Sequence, residues 1–199
     1  MVDVYVASFT AEGDLLSQWR GYCRPGDGFA IGIPSDYLSA AAYPFWRLVR
    51  CVYEEAEQLA LIGAHVEEHV ERLEQARRDF PDESEDVRLD SVAFIFLVEL
   101  LQLAPAIKHW EFREEREWRL VSPRLTEHPS PHVKFRRGRH TLIPYYEYSL
   151  PGLRDVDLDV IVGPTQHPEL SLNAVLSLLK HKGYRSLSRR NSKVPFRDW

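Results

Sequence analysis

Hydrophobic and polar positions along the chain alternate between two periods. Val2 to Phe9 is a run rich in Val and Tyr that predicts a buried strand. Ala11 to Tyr22 then shifts to helical spacing, with Leu15, Leu16 and Trp19 apolar at steps of three and four. Pro25-Gly26-Asp27-Gly28 predicts a turn, Phe29 to Ile33 a second strand, and Arg47 to Tyr53 a third. From Glu55 to Arg78 one face carries Leu59, Ile62, Val66, Val70 and Leu73, a helical stripe expected to be buried. Phe80 to Asp86 breaks it, and Val87 to Leu103 is apolar nearly all round. These two segments predict an α-helical hairpin, residues 54–106, inserted in a sheet domain, with the stripe packed against the second helix.

The period of two returns with Glu115 to Val121, Val133 to Arg137 and Thr141 to Leu150, the last two joined at Arg137-Gly138-Arg139 as a hairpin. Leu158 to Val162 is a further strand ending at Gly163-Pro164. Glu169 to His181 is a helix with Leu172, Val175, Leu176 and Leu179 inward, stopped by Gly183, and Tyr184 to Arg189 is the last strand. The expected fold is α+β, a mixed and antiparallel split sheet, with residues 1–199 as a single domain.

Composition narrows the function classes. With 44% hydrophobic and 28% charged residues the chain has the apolar mass of a globular core, not of a disordered segment. A net charge of −5 and a pI near 5.9 exclude a global field for nucleic acid or anionic lipid. Basic residues do gather locally at Arg136, Arg137 and Arg139, and at Arg185, Arg189, Arg190 and Lys193. Cys23 and Cys51 give no disulfide framework and read as small buried side chains. No charged-then-apolar leader precedes the first strand, and the run Val92 to Val98 falls short of a bilayer. A cytoplasmic protein without membrane contact is expected.

Candidate chemistry concentrates in three clusters. The first is Ser8-Phe9-Thr10 with Leu16 to Tyr22, the second Lys108-His109 with Phe112 to Arg119, and the third Ser192 to Arg197. Strand periodicity puts Glu115, Glu117 and Arg119 on one face, with Trp118 on the other as core. Two carboxylates and a guanidinium on one face suit acid–base or electrostatic work, and equally a solvated face with cross-strand ion pairs. All three clusters are expected to converge on one cleft, with Glu117 partly buried beside Arg119, Arg197 or a hydroxyl. His65-Val66-Glu67-Glu68-His69 matches the inverted zinc-protease pattern, yet no third carboxylate ligand stands out downstream. A charged flank of the helix, and no metal, is the expectation there. Gly163-Pro164-Thr165 reads as a tight strand-to-helix turn, not an anion cradle.

In order along the chain, Ser8-Phe9-Thr10, Leu16 to Tyr22, Gly28 to Gly32, Lys108 to Leu120, Pro144-Tyr145, Ile161 to Thr165 and Ser192 to Arg197 form one pattern. It resembles the bacterial domain-of-unknown-function family 2971, over nearly the whole chain. That family's E-x-E-W-R element is similar to the glutamate motif of ADP-ribosyltransferases. The resemblance implies a split-sheet NAD-binding core, with NAD as substrate and Glu117 as the catalytic carboxylate at the nicotinamide ribose. It implies that Ser8 and Thr10 line the cleft beside Glu115, that Trp19 or Tyr22 stacks on a ring next to Arg20, and that Lys108, Arg119 or Arg197 meets phosphate, with Ser192 nearby. A role in phage defence or as a toxin-like effector follows, with a protein or nucleic-acid acceptor. The alternative is a non-catalytic module that binds a nucleotide or a protein partner. The family's L-Y-H-Y-T and N-D-P-x-E elements do not occur in these 199 residues, so the motif His or Arg that would grip NAD is expected to be missing.

Overall fold

The computed structural model describes residues 4–24, 26–123, 132–185 and 187–195. It is an α+β fold built on small separate sheets, and the chain divides into two compact units. One comprises residues 1–9 and 45–147, the other residues 10–44 and 148–199.

The first unit holds strands β1 (Val6–Thr10), β3 (Arg47–Arg50) and β4 (Glu117–Val121) in the order β1-β4-β3. β3 runs antiparallel to β4, with Arg47 opposite Val121 and Arg50 opposite Trp118. Cys51, Leu120 and Val121 are buried here. Ser122 holds the edge in place, its Oγ accepting from the Tyr5 amide at 2.9 Å while its own amide donates to the Tyr5 carbonyl. β5 (Val133–Arg137) and β6 (Leu142–Tyr146) form a separate antiparallel hairpin closed at Gly138.

Between β3 and β4 stand α3 (Glu55–Asp79) and α4 (Glu85–Leu103). They are in contact, but not through the expected stripe. Leu59, Val66 and Val70 lie on the open side of α3, and His65 and His69 are its buried residues. The His65 ring stacks on Phe96 of α4 at 4.9 Å, and Arg72 reaches Glu99. Imidazole and guanidinium groups reach farther than Val, and their polar atoms find partners across the seam. Arg88, also buried, locks the turn between the helices by donating to the carbonyls of Phe80, Pro81 and Glu83. The stretch Glu85–Ala106 is long and apolar enough to cross a membrane by length and composition, and only 6% of its most apolar 18 residues are buried. The apolar run is thus longer than Val92 to Val98 suggests.

The second unit carries α1 (Leu16–Tyr22), β2 (Phe29–Gly32), α2 (Ser35–Ala42), β7 (Leu158–Val162), α5 (Pro168–His181) and β8 (Leu187–Asn191). Its sheet is mixed: β7 pairs antiparallel with β2 and parallel with β8. Val160, Ile161 and Val162 are successive and all buried, so β7 is covered on both faces. α5 covers one, with Leu172 and Leu176 on Val162. Trp19 covers the glycines at the sheet end. A Cβ on Gly163 would stand 3.0 Å from the Trp19 ring, and one on Gly28 3.3 Å. Gly183, at φ +87°, ends α5 in the left-handed conformation that suits glycine. The short helix α2 goes unread in the sequence pattern, and β8 begins three residues later than expected.

Candidate functional site

Glu117 opens β4 in the first unit and is 4% exposed. Bare burial of a carboxylate would be prohibitive, and the surroundings supply its partners. Arg119, two residues on along the same strand face, donates from Nε to Oε1 at 2.8 Å and from Nη2 to Oε2 at 3.2 Å. Lys108 Nζ donates to Oε2 of Glu117 and, at 2.5 Å, to Oε2 of Glu115. The Ser8 hydroxyl on β1 adds a hydrogen bond. Burial pushes the Glu117 carboxyl up, but the bonds from Arg119, Lys108 and Ser8 and the charge of Arg119 outweigh it and bring it to about 2. Burial would lower the Lys108 ammonium, and its two carboxylate bonds raise it instead. The cluster thus sets two basic side chains, Lys108 and Arg119, against two acidic ones, Glu115 and Glu117.

Second neighbours complete it. The Tyr53 hydroxyl oxygen accepts from the Glu117 amide at 2.8 Å, and Arg119 Nη1 donates to the Pro105 carbonyl at 2.6 Å. Burial raises the thiol of Cys51 despite the Arg119 charge, so it stands as a buried thiol next to the cluster. Tyr53 and Pro105 carry no local sequence signal of this role. They are brought in by pairing between residues 52 and 107, which lie far apart along the chain.

The expected strand face is altered at two points. Glu115 is not in the strand. It ends a 3-10 turn, Trp110–Glu115, and Arg116 follows at φ +44°, a left-handed residue that closes the turn before β4. Lys108 still gathers Glu115 and Glu117, so the pair meets through an ammonium rather than by strand alternation. Trp118, expected in the core, is 37% exposed, because its side of β4 is only partly covered.

The second unit contains its own polar centre, and its hub is a residue the motif reading passed over. Asp14 Oδ1 accepts from Trp19 Nε1 at 2.8 Å and from the Ser192 hydroxyl, and Oδ2 accepts from the Lys193 amide at 2.7 Å. Burial would raise Asp14, but Ser192, Lys193, Trp19 and the Arg190 charge together lower it. Trp19 is thereby buried as core, its indole N–H already engaged. Ser192 also accepts from the Val194 amide at 3.0 Å. Thr10 caps its own loop, with Oγ1 accepting from the Glu12 amide at 3.1 Å. Arg20 and Tyr22 are exposed on α1. Of the expected site residues, Ser8, Lys108, Glu115, Glu117 and Arg119 therefore gather in one unit, and Trp19 and Ser192 in the other. Arg197 lies outside the described residues.

The paired histidines have a different setting from a charged flank. Ligand atoms of His65, His69 and Glu99 lie within 4.8 Å of one another, so α4 does supply a downstream carboxylate. Two imidazoles and a carboxylate are a donor set that zinc accepts. A cation already stands among them. Arg72 Nη1 lies 3.3 Å from His69 Nε2 and donates to Glu99 Oε1 at 3.0 Å. His69 Nδ1 bonds the His65 carbonyl at 2.8 Å, which fixes the ring. Zinc would compete with the guanidinium for His69 and Glu99.

A family model described as a protein of unknown function, DUF2971, matches residues 18–120. No curated protein and no solved structure matches the chain.

Proposed function

The chain belongs to the DUF2971 family, and on that premise we infer that the Glu117 cluster is the seat of an NAD-dependent, ADP-ribosyltransferase-like activity. One observation carries this: Glu117 is a buried carboxylate that stays ionised down to about pH 2, with a hydroxyl, Ser8, on the neighbouring strand. Cleaving the nicotinamide glycosidic bond sends its electron pair to nicotinamide, which leaves neutral, and positive charge builds on the ribose. A fixed anion beside that carbon lowers the barrier. The acceptor's O–H or N–H then bonds to the ribose carbon and gives up its proton. Lys108 and Arg119 keep Glu117 charged and oriented, and can turn toward a diphosphate. A cytoplasmic effector, in phage defence or as a toxin, with a protein or nucleic-acid acceptor, is the role this chemistry suits.

A second reading has its own observation. Both Glu117 oxygens are already engaged by Arg119 and Lys108, and the four charges cancel. A closed network of this kind fits a non-catalytic module that binds a nucleotide or partner elsewhere.

Incubation of the intact chain with labelled NAD separates the two. Nicotinamide release or a labelled acceptor is expected, and it disappears in Glu117→Gln at a temperature where circular dichroism shows that variant folded. Thermal stabilisation by NAD without turnover supports the binding module instead. Turnover that survives Glu117→Gln rules out the proposed role of this residue.

A further inference from the structure

Because α3 and α4 meet through a polar seam, their apolar side chains turn outward. Leu59 is 62% exposed, Val70 55% and Val66 43%, with Ile62 and Leu73 completing the stripe on α3. On α4, Leu97 and Leu101 are exposed as well. Contiguous apolar exposure of this kind marks an interaction surface.

The stripe has a property that selects its partner. From Leu59 to Leu73 its steps are three, four, four and three, so it reads the same in both directions about Val66. The charges beyond it follow the same centre with opposite sign. Glu55 and Arg77 are each eleven residues from Val66, which at 3.6 residues per turn puts both on the stripe face. Arg77 also pairs with Glu74 on its own helix and with Glu85 at the start of α4.

We propose that this face docks against a second copy of the chain, α3 antiparallel to α3, with the two-fold axis at Val66. Leu59 then meets the partner's Leu73, Ile62 meets the partner's Val70, and Val66 meets the partner's Val66. Glu55 faces the partner's Arg77 at both ends, so the contact is isologous and closes on itself. A parallel arrangement would set Glu55 against the partner's Glu55 and Arg77 against the partner's Arg77, and like charges reject it. Acidic residues Glu67, Glu71 and Glu74 flank the stripe on α3, which disfavours an anionic lipid surface as the occupant.

Sedimentation velocity of the full chain tests this over a range of micromolar concentrations. A dimer is expected for the native sequence, and Val66→Glu is expected to give a monomer with unchanged circular dichroism. Glu55→Arg should weaken association by about tenfold, and adding Arg77→Glu should restore it. Val66→Cys should cross-link to itself under mild oxidation, above the background from Cys23 and Cys51. Leu59→Cys should cross-link only when mixed with Leu73→Cys chains. A monomer at every concentration, or equal self-cross-linking by Leu59→Cys, overturns the proposal. So does flotation of the monomer with phosphatidylcholine–phosphatidylglycerol vesicles, which would make lipid the occupant.

Discussion

Glu117 sits between Arg119 and Lys108 with its charge fully used, and this makes it a point of acid sensitivity. Its carboxyl is held near 2 against an ordinary 4.5. The sign follows from the depression: the stabilisation is complete above the unfolded-state value and is lost as pH falls from there through about 2. A shift of this size corresponds to roughly 3 kcal/mol. Urea midpoints taken from pH 5 to pH 2 should fall accordingly, and the fall should be much smaller in Glu117→Gln. That substitution at neutral pH takes a charged partner from the half-buried Lys108 and Arg119 and is expected to cost about 2–4 kcal/mol, read from the same urea curves. At His69 the opposite economy holds. The Arg72 guanidinium already engages His69 and Glu99, two of the three donors, so no stoichiometric zinc is expected by elemental analysis of the purified chain. Arg72→Ala is the variant in which zinc uptake would begin. The site was legible in the sequence as residue types, since Lys108, Glu117 and Arg119 fall in one short motif. Asp14 was not, because its partners Ser192 and Lys193 lie at the far end of the chain and only folding brings them within reach.

Elements are stabilised by single long side chains as much as by stripes. Arg88 donates to the carbonyls of Phe80, Pro81 and Glu83, and so satisfies the acceptors left open between α3 and α4. Arg88→Met keeps the length and removes the donors. A loss of about 2–4 kcal/mol is expected, with faster amide exchange at the adjoining helix ends. At Gly163 the constraint is volume. A methyl at 3.0 Å from the Trp19 ring and 3.1 Å from the Gly28 carbonyl forces one of them aside, so Gly163→Ala should cost about 1–3 kcal/mol in thermal unfolding. Such dependence explains which elements could be read in advance. The β5–β6 hairpin, β7 and α5 carry strong local signals in Gly138, the Val-rich run and Gly183, and they form where the pattern puts them, except that β6 stops at Tyr146, four residues short of the expected Leu150. The α3 stripe misled on burial because periodicity identifies a face without naming what covers it. His65 and His69, one turn apart on another side of the helix, took the intramolecular contact. Glu115 misled because Arg116 adopts a left-handed conformation that strand alternation cannot foresee, and Trp118 because alternation assigns a face without naming what covers it.

At the scale of the whole molecule, the second unit is assembled from the two flanks of the chain. β2 pairs with β7, and Asp14 is tied to Ser192 and Lys193. A chain ending at Gly183 lacks β8 and both Asp14 partners from that segment. Hydrogen exchange is expected to show β2 and β7 deprotected in it while β3 and β4 stay protected, since β7 then has one strand partner in place of two. The fold class was readable from the alternation of periods, but this long-range closure was not, because local pattern carries no distance information. The same closure sets a schedule during synthesis. β2, with Phe29 and Ile31 half exposed even in the finished fold, is made early, and β7 follows about 125 positions later. At about 5–20 residues per second the nascent chain waits roughly 6–25 s with that strand unpaired. For that interval an apolar edge is open to whatever else is being translated nearby.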